Sequence, residues 1–244
     1  MSILGSRSPF QHSVETVTTR RRYIRDKRTE QFLGMVRKTV RERCDLWPLG
    51  TELWRAQLGC DFKYWCIDSV WPGRDYVPYP ADRMKPKRER AAEGRANPKG
   101  IPFLYLATDY DTAIGEVRPW VGSCVSVGLF RTSRKLKLVN CVTDPNVLSR
   151  IDKMSMAEQD EAIAWLSLDR AFAAPVDRAD DVADYVPTQI IAELLKKHRF
   201  DGIVYRSQLG KGHNVALFDL DAAELTECHV SCVKSIELVS GKVS

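Results

Sequence analysis

The apolar positions along the chain change period several times, and each change marks an element. Residues 1–19 show no periodic apolar pattern and read as a flexible or loosely docked arm. Over 20–44, Ile24, Phe32, Val36 and Val40 recur at helical spacing among many charges, which predicts an amphipathic helix packed on the main body. Trp47-Pro48-Leu49-Gly50 ends it. Residues 51–57 (TELWRAQ) alternate apolar and polar, predicting a strand that contains Arg55. Residues 71–102, rich in Pro, Gly and charge, read as one long irregular loop. The run 101–107 (IPFLYLA) has strand length and aromatic enrichment, and Thr108-Asp109 then offers a helix cap. In the short helix that follows, Tyr110, Ala113, Ile114 and Val117 form the buried stripe and Glu116 lies at its margin, with Pro119 closing it.

The second half alternates between the two periods. Residues 124–130 and 136–142 read as strands. Helical spacing follows over 157–174 through Ile163, Leu166 and Phe172 until Pro175. A second helix begins near Pro187-Thr188 and buries Ile190, Ile191, Leu194 and Leu195. The strand 202–206 comes next, with Ser207 at its end, then the turn Gly210-Lys211-Gly212, a strand over 214–220 and a final β-like stretch over 233–239. Hairpins combined with separate helices predict an α+β fold. The expected division is a basic arm and helix over 1–45 and one domain over 46–244.

Charge supports that division. The chain carries a net +5, but residues 1–45 hold eleven Lys/Arg against five Asp/Glu, whereas the remainder holds 26 against 27. Arg20, Arg21, Arg22, Arg25, Lys27 and Arg28 form a run able to meet a polyanion, although such runs are ordinarily solvated helix faces, so nucleic acid is not the expected partner. The sequence has no apolar stretch of membrane-spanning length and no apolar core of a secretion signal near its start, so no membrane and a cytoplasmic location are expected. The seven cysteines lack a CxxC pair and fit reduced thiols. Cys228, His229 and Cys232 would need further ligands to close a zinc site, and no metal is expected.

Three polar side chains stand where elements meet loops: Arg55, Glu116 and Ser207. Taken singly, each has an ordinary reading as a surface arginine, a solvated glutamate and a turn serine. No His or Asp stands at triad spacing to Ser207. Gly210-Lys211-Gly212 lacks the Walker pattern, and no GxGxxG follows a strand.

The surrounding text changes the reading. Leu53-Trp54-Arg55-Ala56 comes first, then Gly94-Arg95-Ala96-Asn97-Pro98 with Leu104-Tyr105-Leu106-Ala107 and Thr112-Ala113-Ile114-Gly115-Glu116. Asp201-Gly202-Ile203-Val204-Tyr205-Arg206-Ser207 with Asn214-Val215-Ala216-Leu217-Phe218 completes the series. In this order and spacing the blocks, which bracket most of 51–220, resemble the RES domain, a family named for its Arg, Glu and Ser. The resemblance implies a mixed β core with flanking helices like that of the ADP-ribosyltransferase toxins. It also implies an enzyme that cleaves the nicotinamide–ribose bond of NAD⁺ as a phosphorylase, a glycohydrolase or an ADP-ribosyltransferase, and a toxin silenced by a cognate antitoxin. NAD⁺ is then substrate, no recycled cofactor is needed, and inorganic phosphate is a candidate co-substrate. The basic extension and the insert at 143–186 depart from the short family toxins. A homodimer is the base-rate assembly, and the competing class is a catalytically idle module that binds nucleic acid or a protein.

Within that reading the residue types suit the chemistry. Glu116 would stabilise the oxocarbenium-like ribose, as carboxylates do in glycoside hydrolysis. Arg55 would clamp the pyrophosphate or an attacking phosphate with its planar fork of donors. Ser207 would orient a phosphate or a ribose. Tyr105 could stack on nicotinamide or adenine, with a core tyrosine the even alternative. Arg95, Asn97 and Asn214 would add phosphate or ribose contacts.

Overall fold

The computed structural model describes residues 8–67, 71–174 and 182–237. It begins with α1 (Pro9–Glu15), where Ser8 and Gln11 form a capping box and Pro9 takes the first helical position. The arm expected over 1–19 is therefore helical from residue 9, with Phe10 and Val17 buried; residues 1–7 lie outside the described residues. Phe10, Val14 and Val17 have helical spacing, but over so few residues that the polar ones between them hide it. The next helix, α2 (Lys27–Thr39), starts later than expected because Asp26 caps it, accepting from the Thr29 amide at 2.8 Å. Ile24 thus falls before the helix and is 74% exposed, while Phe32, Val36 and Val40 are buried as expected.

The remaining elements follow in chain order as β1 (Cys44–Trp47), β2 (Glu52–Leu58), β3 (Asp61–Ile67), β4 (Trp71–Val77), α3 (Ala81–Met84), β5 (Leu104–Ala107) and α4 (Tyr110–Glu116). Then come β6 (Cys124–Thr132), β7 (Leu136–Asn140), α5 (Met156–Ala173), α6 (Val186–Lys197), β8 (Gly202–Arg206), β9 (His213–Leu217) and β10 (Ala223–Cys232). No helix among the described residues is long and apolar enough to cross a membrane.

Three expectations are corrected. Residues 44–47, expected within and just beyond the first helix, form β1, which pairs antiparallel with β7. The expected loop over 71–102 begins as β4, paired with β3 in a separate hairpin. Pro72 and Gly73 make that strand look like a loop, yet Gly73 is there because the Trp65 indole lies where a Cβ would be. The last strand occupies 223–232 instead of 233–239, of which 238 and 239 lie outside the described residues. Glu224, Glu227 and His229 are tolerated on β10 because it is an edge strand, and their polarity masks the period.

The fold is α+β. Eight strands form one mixed sheet in the order β1-β7-β8-β9-β5-β2-β6-β10, with β7 and β8 parallel. On one face α1, α2, α5 and α6 pack Phe10, Phe32, Trp165 and Ile191 onto Val139 and Ile203. The N-terminal helices therefore share a core with the late helices. The opposite face buries Leu104, Leu106, Val204, Val215 and Leu217 beneath Met84 and Tyr79. Within the insert at 143–186, Asp169 of α5 is buried and accepts from the Thr143 amide at 3.0 Å and from Arg206 at 3.1 Å, tying the insert to β8.

The sheet has a weak seam. β5 pairs with β9 along its whole length, but β5 and β2 meet only at Trp54↔Ala107. Beyond that pair the strands part, and the wedge between them opens on the helix-covered face.

Candidate active site

At the seam the Tyr105 carbonyl has no strand amide opposite it, and Arg55 takes that place: its Nη1 donates to the Tyr105 oxygen at 2.6 Å. A guanidinium drawn into a sheet loses hydration, so burial pushes the Arg55 pKa down to about 10, which still leaves it charged at neutral pH. Arg55 Nε is buried without a partner among the described residues.

Glu116 ends α4, whose first turn is fixed by Asp109. That carboxylate accepts from the Thr112 amide at 2.9 Å and from its hydroxyl at 2.8 Å. The Thr112 hydroxyl accepts in turn from the Gly212 amide at 3.0 Å, and the Thr108 hydroxyl from the His213 amide at 2.9 Å, so the turn after β8 is stitched to the start of α4. Gly115 and Gly212 make the stitching feasible: a Cβ on Gly115 would run into the Leu209 carbonyl, and one on Gly212 into the Asp109 carboxylate. Glu116 is thereby held against residues more than ninety positions later in the chain.

Its carboxylate is anchored at one oxygen. Oε1 accepts from Ser207 Oγ and from Asn214 Nδ2, both at 2.7 Å. Ser207 and Asn214 are only 6% and 8% exposed, whereas Glu116 itself is exposed, with no partner at Oε2 among the described residues. A serine has one proton, and here it is committed to Glu116; Ser207 Oγ also accepts from the Leu209 amide at 3.0 Å. In this arrangement Ser207 orients a carboxylate instead of a phosphate or a ribose, and Asn214 does likewise.

Arg55, Arg95, Tyr105, Glu116 and Asn214 line one cavity of about 540 Å³, a size typical of small-molecule sites. These five, each singled out in the sequence, come together here. Arg95 also donates to the Ala171 carbonyl at 3.2 Å and lies over the Tyr185 ring. Tyr105 lines the cavity, but its hydroxyl donates to Asn97 Oδ1 at 2.7 Å and accepts from the Ala96 amide at 3.0 Å; burial raises its pKa. Asn97 departs from expectation. It is 2% exposed, and its amide donates to the carbonyls of Ala92, Pro98 and Ile101, so it braces its own loop. Gly94 is required beside it, since a Cβ there would crowd Asn97 and the Tyr105 hydroxyl.

Sequence reasoning missed Trp54, Arg118 and Tyr205 as cavity residues. A signal existed for two of them: Trp54 adjoins Arg55, and Tyr205 lies two residues before Ser207, hence on the same side of its strand. Arg118 sits at φ 47°, a left-handed conformation that turns the chain sharply out of α4, and nothing in its sequence context announces this.

The fold and site define an α+β protein with a split mixed sheet and a carboxylate–guanidinium cavity at the split. The RES domain family model matches residues 63–239, and the chain belongs to that family. The match begins inside β3, after Arg55. A chain of the crystal structure of the M. tuberculosis MbcT-MbcA toxin-antitoxin complex superposes at a TM-score of 0.40 with 13% identity, covering 82% of this chain and 92% of that one. No curated protein matches the chain.

Proposed function

We propose that this protein cleaves the nicotinamide–ribose bond of NAD⁺ and acts as the toxin of a toxin–antitoxin pair. The observation that carries the reading is Glu116: a carboxylate fixed at one oxygen by Ser207 and Asn214 and open at the other, in a cavity that Arg55, Arg95 and Arg118 also line. Membership of the RES family supports NAD⁺ as the substrate.

In this mechanism the arginines hold the dinucleotide's phosphates while the ribose lies against Glu116 Oε2. The C1′–N1 bond breaks with its electron pair leaving on nicotinamide, which departs neutral, and positive charge passes to the ribose. A fixed carboxylate stabilises that charge without having to reorganise. An oxygen of water or phosphate then bonds to C1′; water releases its proton on the way, giving ADP-ribose, whereas phosphate gives ADP-ribose 1-phosphate. Mass spectrometry of the products formed from NAD⁺ with and without phosphate tests the reading. Free nicotinamide is expected in either case, and intact NAD⁺ after prolonged incubation of folded enzyme in both buffers would overturn it. Expression without a neutralising partner is expected to arrest growth, while Glu116→Ala at equal protein level is tolerated; equal growth of the two strains would sink the toxin assignment.

A further inference from the structure

Buried polar groups nearly always have a hydrogen-bond partner, because leaving one unmade costs the desolvation of the group. Around the cavity this holds for Ser207, Asn214, Asn97 and the Tyr105 hydroxyl. Tyr205 differs, and its hydroxyl is not among the fully sealed polar atoms. It is 6% exposed, its ring packs on Phe172 with centroids 5.7 Å apart, and it lines the cavity, yet its hydroxyl meets no partner among the described residues.

Its position says what it can reach. Tyr205 on β8 pairs directly with Asn214 on β9, so the two side chains share a sheet face, and Asn214 is one of the groups that hold Glu116. Burial raises the Tyr205 pKa well above the usual phenol value, with Tyr105 and Glu116 adding to the effect and Arg95 opposing it. The hydroxyl therefore keeps its proton and offers it to an acceptor. Beside the Glu116 carboxylate an anionic acceptor would meet like charge, which favours a neutral oxygen.

We infer that Tyr205 is a substrate-binding residue: its hydroxyl donates to a neutral oxygen on the nicotinamide-riboside half of the dinucleotide, either the carboxamide carbonyl or a ribose hydroxyl. This rests on the reading of the cavity as an NAD⁺ site.

Tyr205→Phe removes the hydroxyl and keeps the ring against Phe172. In the free protein its melting temperature is expected to equal or exceed that of the wild type, because no protein hydrogen bond is lost. Its kcat/KM for NAD⁺ is expected to fall roughly tenfold, the scale of one hydrogen bond. Product inhibition separates the two acceptors. Inhibition by nicotinamide weakened to a similar degree identifies the carboxamide, and weakened inhibition by ADP-ribose identifies the ribose. Wild-type kcat/KM in Tyr205→Phe overturns the assignment while leaving the NAD⁺ reading intact. So does an activity loss accompanied by a lowered melting temperature with both inhibition constants unchanged, since that pattern is structural. A wild-type enzyme that consumes no NAD⁺ overturns the underlying reading and the assignment with it.

Discussion

The two sides of the cavity are built on opposite plans. On the α4 side the Glu116 carboxylate is over-determined: two donors share one oxygen, a capped helix fixes its backbone, and Gly115 lets the Leu209 carbonyl press against it. On the seam side Arg55 has one hydrogen bond and a buried Nε without a partner among the described residues. Rigidity suits a group that must meet a charge existing only in the transition state, because such a group gains most from being in place beforehand. Unfulfilled donors suit a group that greets a charge already present on the ground-state ligand, which supplies the missing partners on binding.

The contrast breaks most sharply at Glu116. Glu116→Gln keeps the shape and removes the charge, and it is expected to lower kcat by about 10²–10³ with KM nearly unchanged; steady-state kinetics showing a raised KM at wild-type kcat would reverse the two roles. Arg55→Ala should act on the other term, raising KM by roughly ten- to a hundredfold, the scale of a hydrogen bond to a charged group. Isothermal titration with ADP-ribose should report the same loss of affinity, and unchanged affinity would remove Arg55 from binding. A smaller change belongs to the anchors. Asn214→Ala and Ser207→Ala each remove one donor of a pair, so each is expected to lower kcat by roughly fivefold, and the double variant to lose more than the product of the two because the remaining donor compensates in each single variant. Simple multiplication would mean that the anchors act independently.

The smallest effect lies away from the cavity. Asp26 caps α2, and the Thr29 amide and then His12 hold its carboxyl well below the usual carboxylate range. A depressed carboxyl stabilises the fold above its unfolded pKa, and that contribution is lost as pH falls through the ordinary carboxylate range towards the depressed value. Asp26→Asn is therefore expected to flatten the acid limb of the unfolding curve followed by circular dichroism and to leave NAD⁺ consumption unchanged. An acid limb like that of the wild type would show that the cap contributes no pH dependence.

Much of this was legible in the sequence where local signals were strong. Strand β5, the Asp109 cap, the α4 stripe and β8 fall within a few residues of their expected bounds, since each combines a clear apolar period with a chemical stop. Arg55, Glu116 and Ser207 converge as the family pattern implied. What stayed hidden depends on contacts distant along the chain. Strand β4 looked like a loop because Gly73 is explained only by the Trp65 ring across from it. Asn97 looked like a ligand contact because its three carbonyl partners become neighbours only when the loop closes. The role of Asn214 required the hydrogen bond to Glu116, 98 positions earlier.

The shared core of α1, α2, α5 and α6 also bears on the order in which the cavity assembles during synthesis. The first helices emerge from the ribosome well before the partners that cover their apolar faces, and the groups that anchor Glu116 arrive later still. A nascent chain released before Asn214 would have its arginines but no fixed carboxylate. On the proposed function, the working centre is thus assembled only once the chain has been made through Asn214.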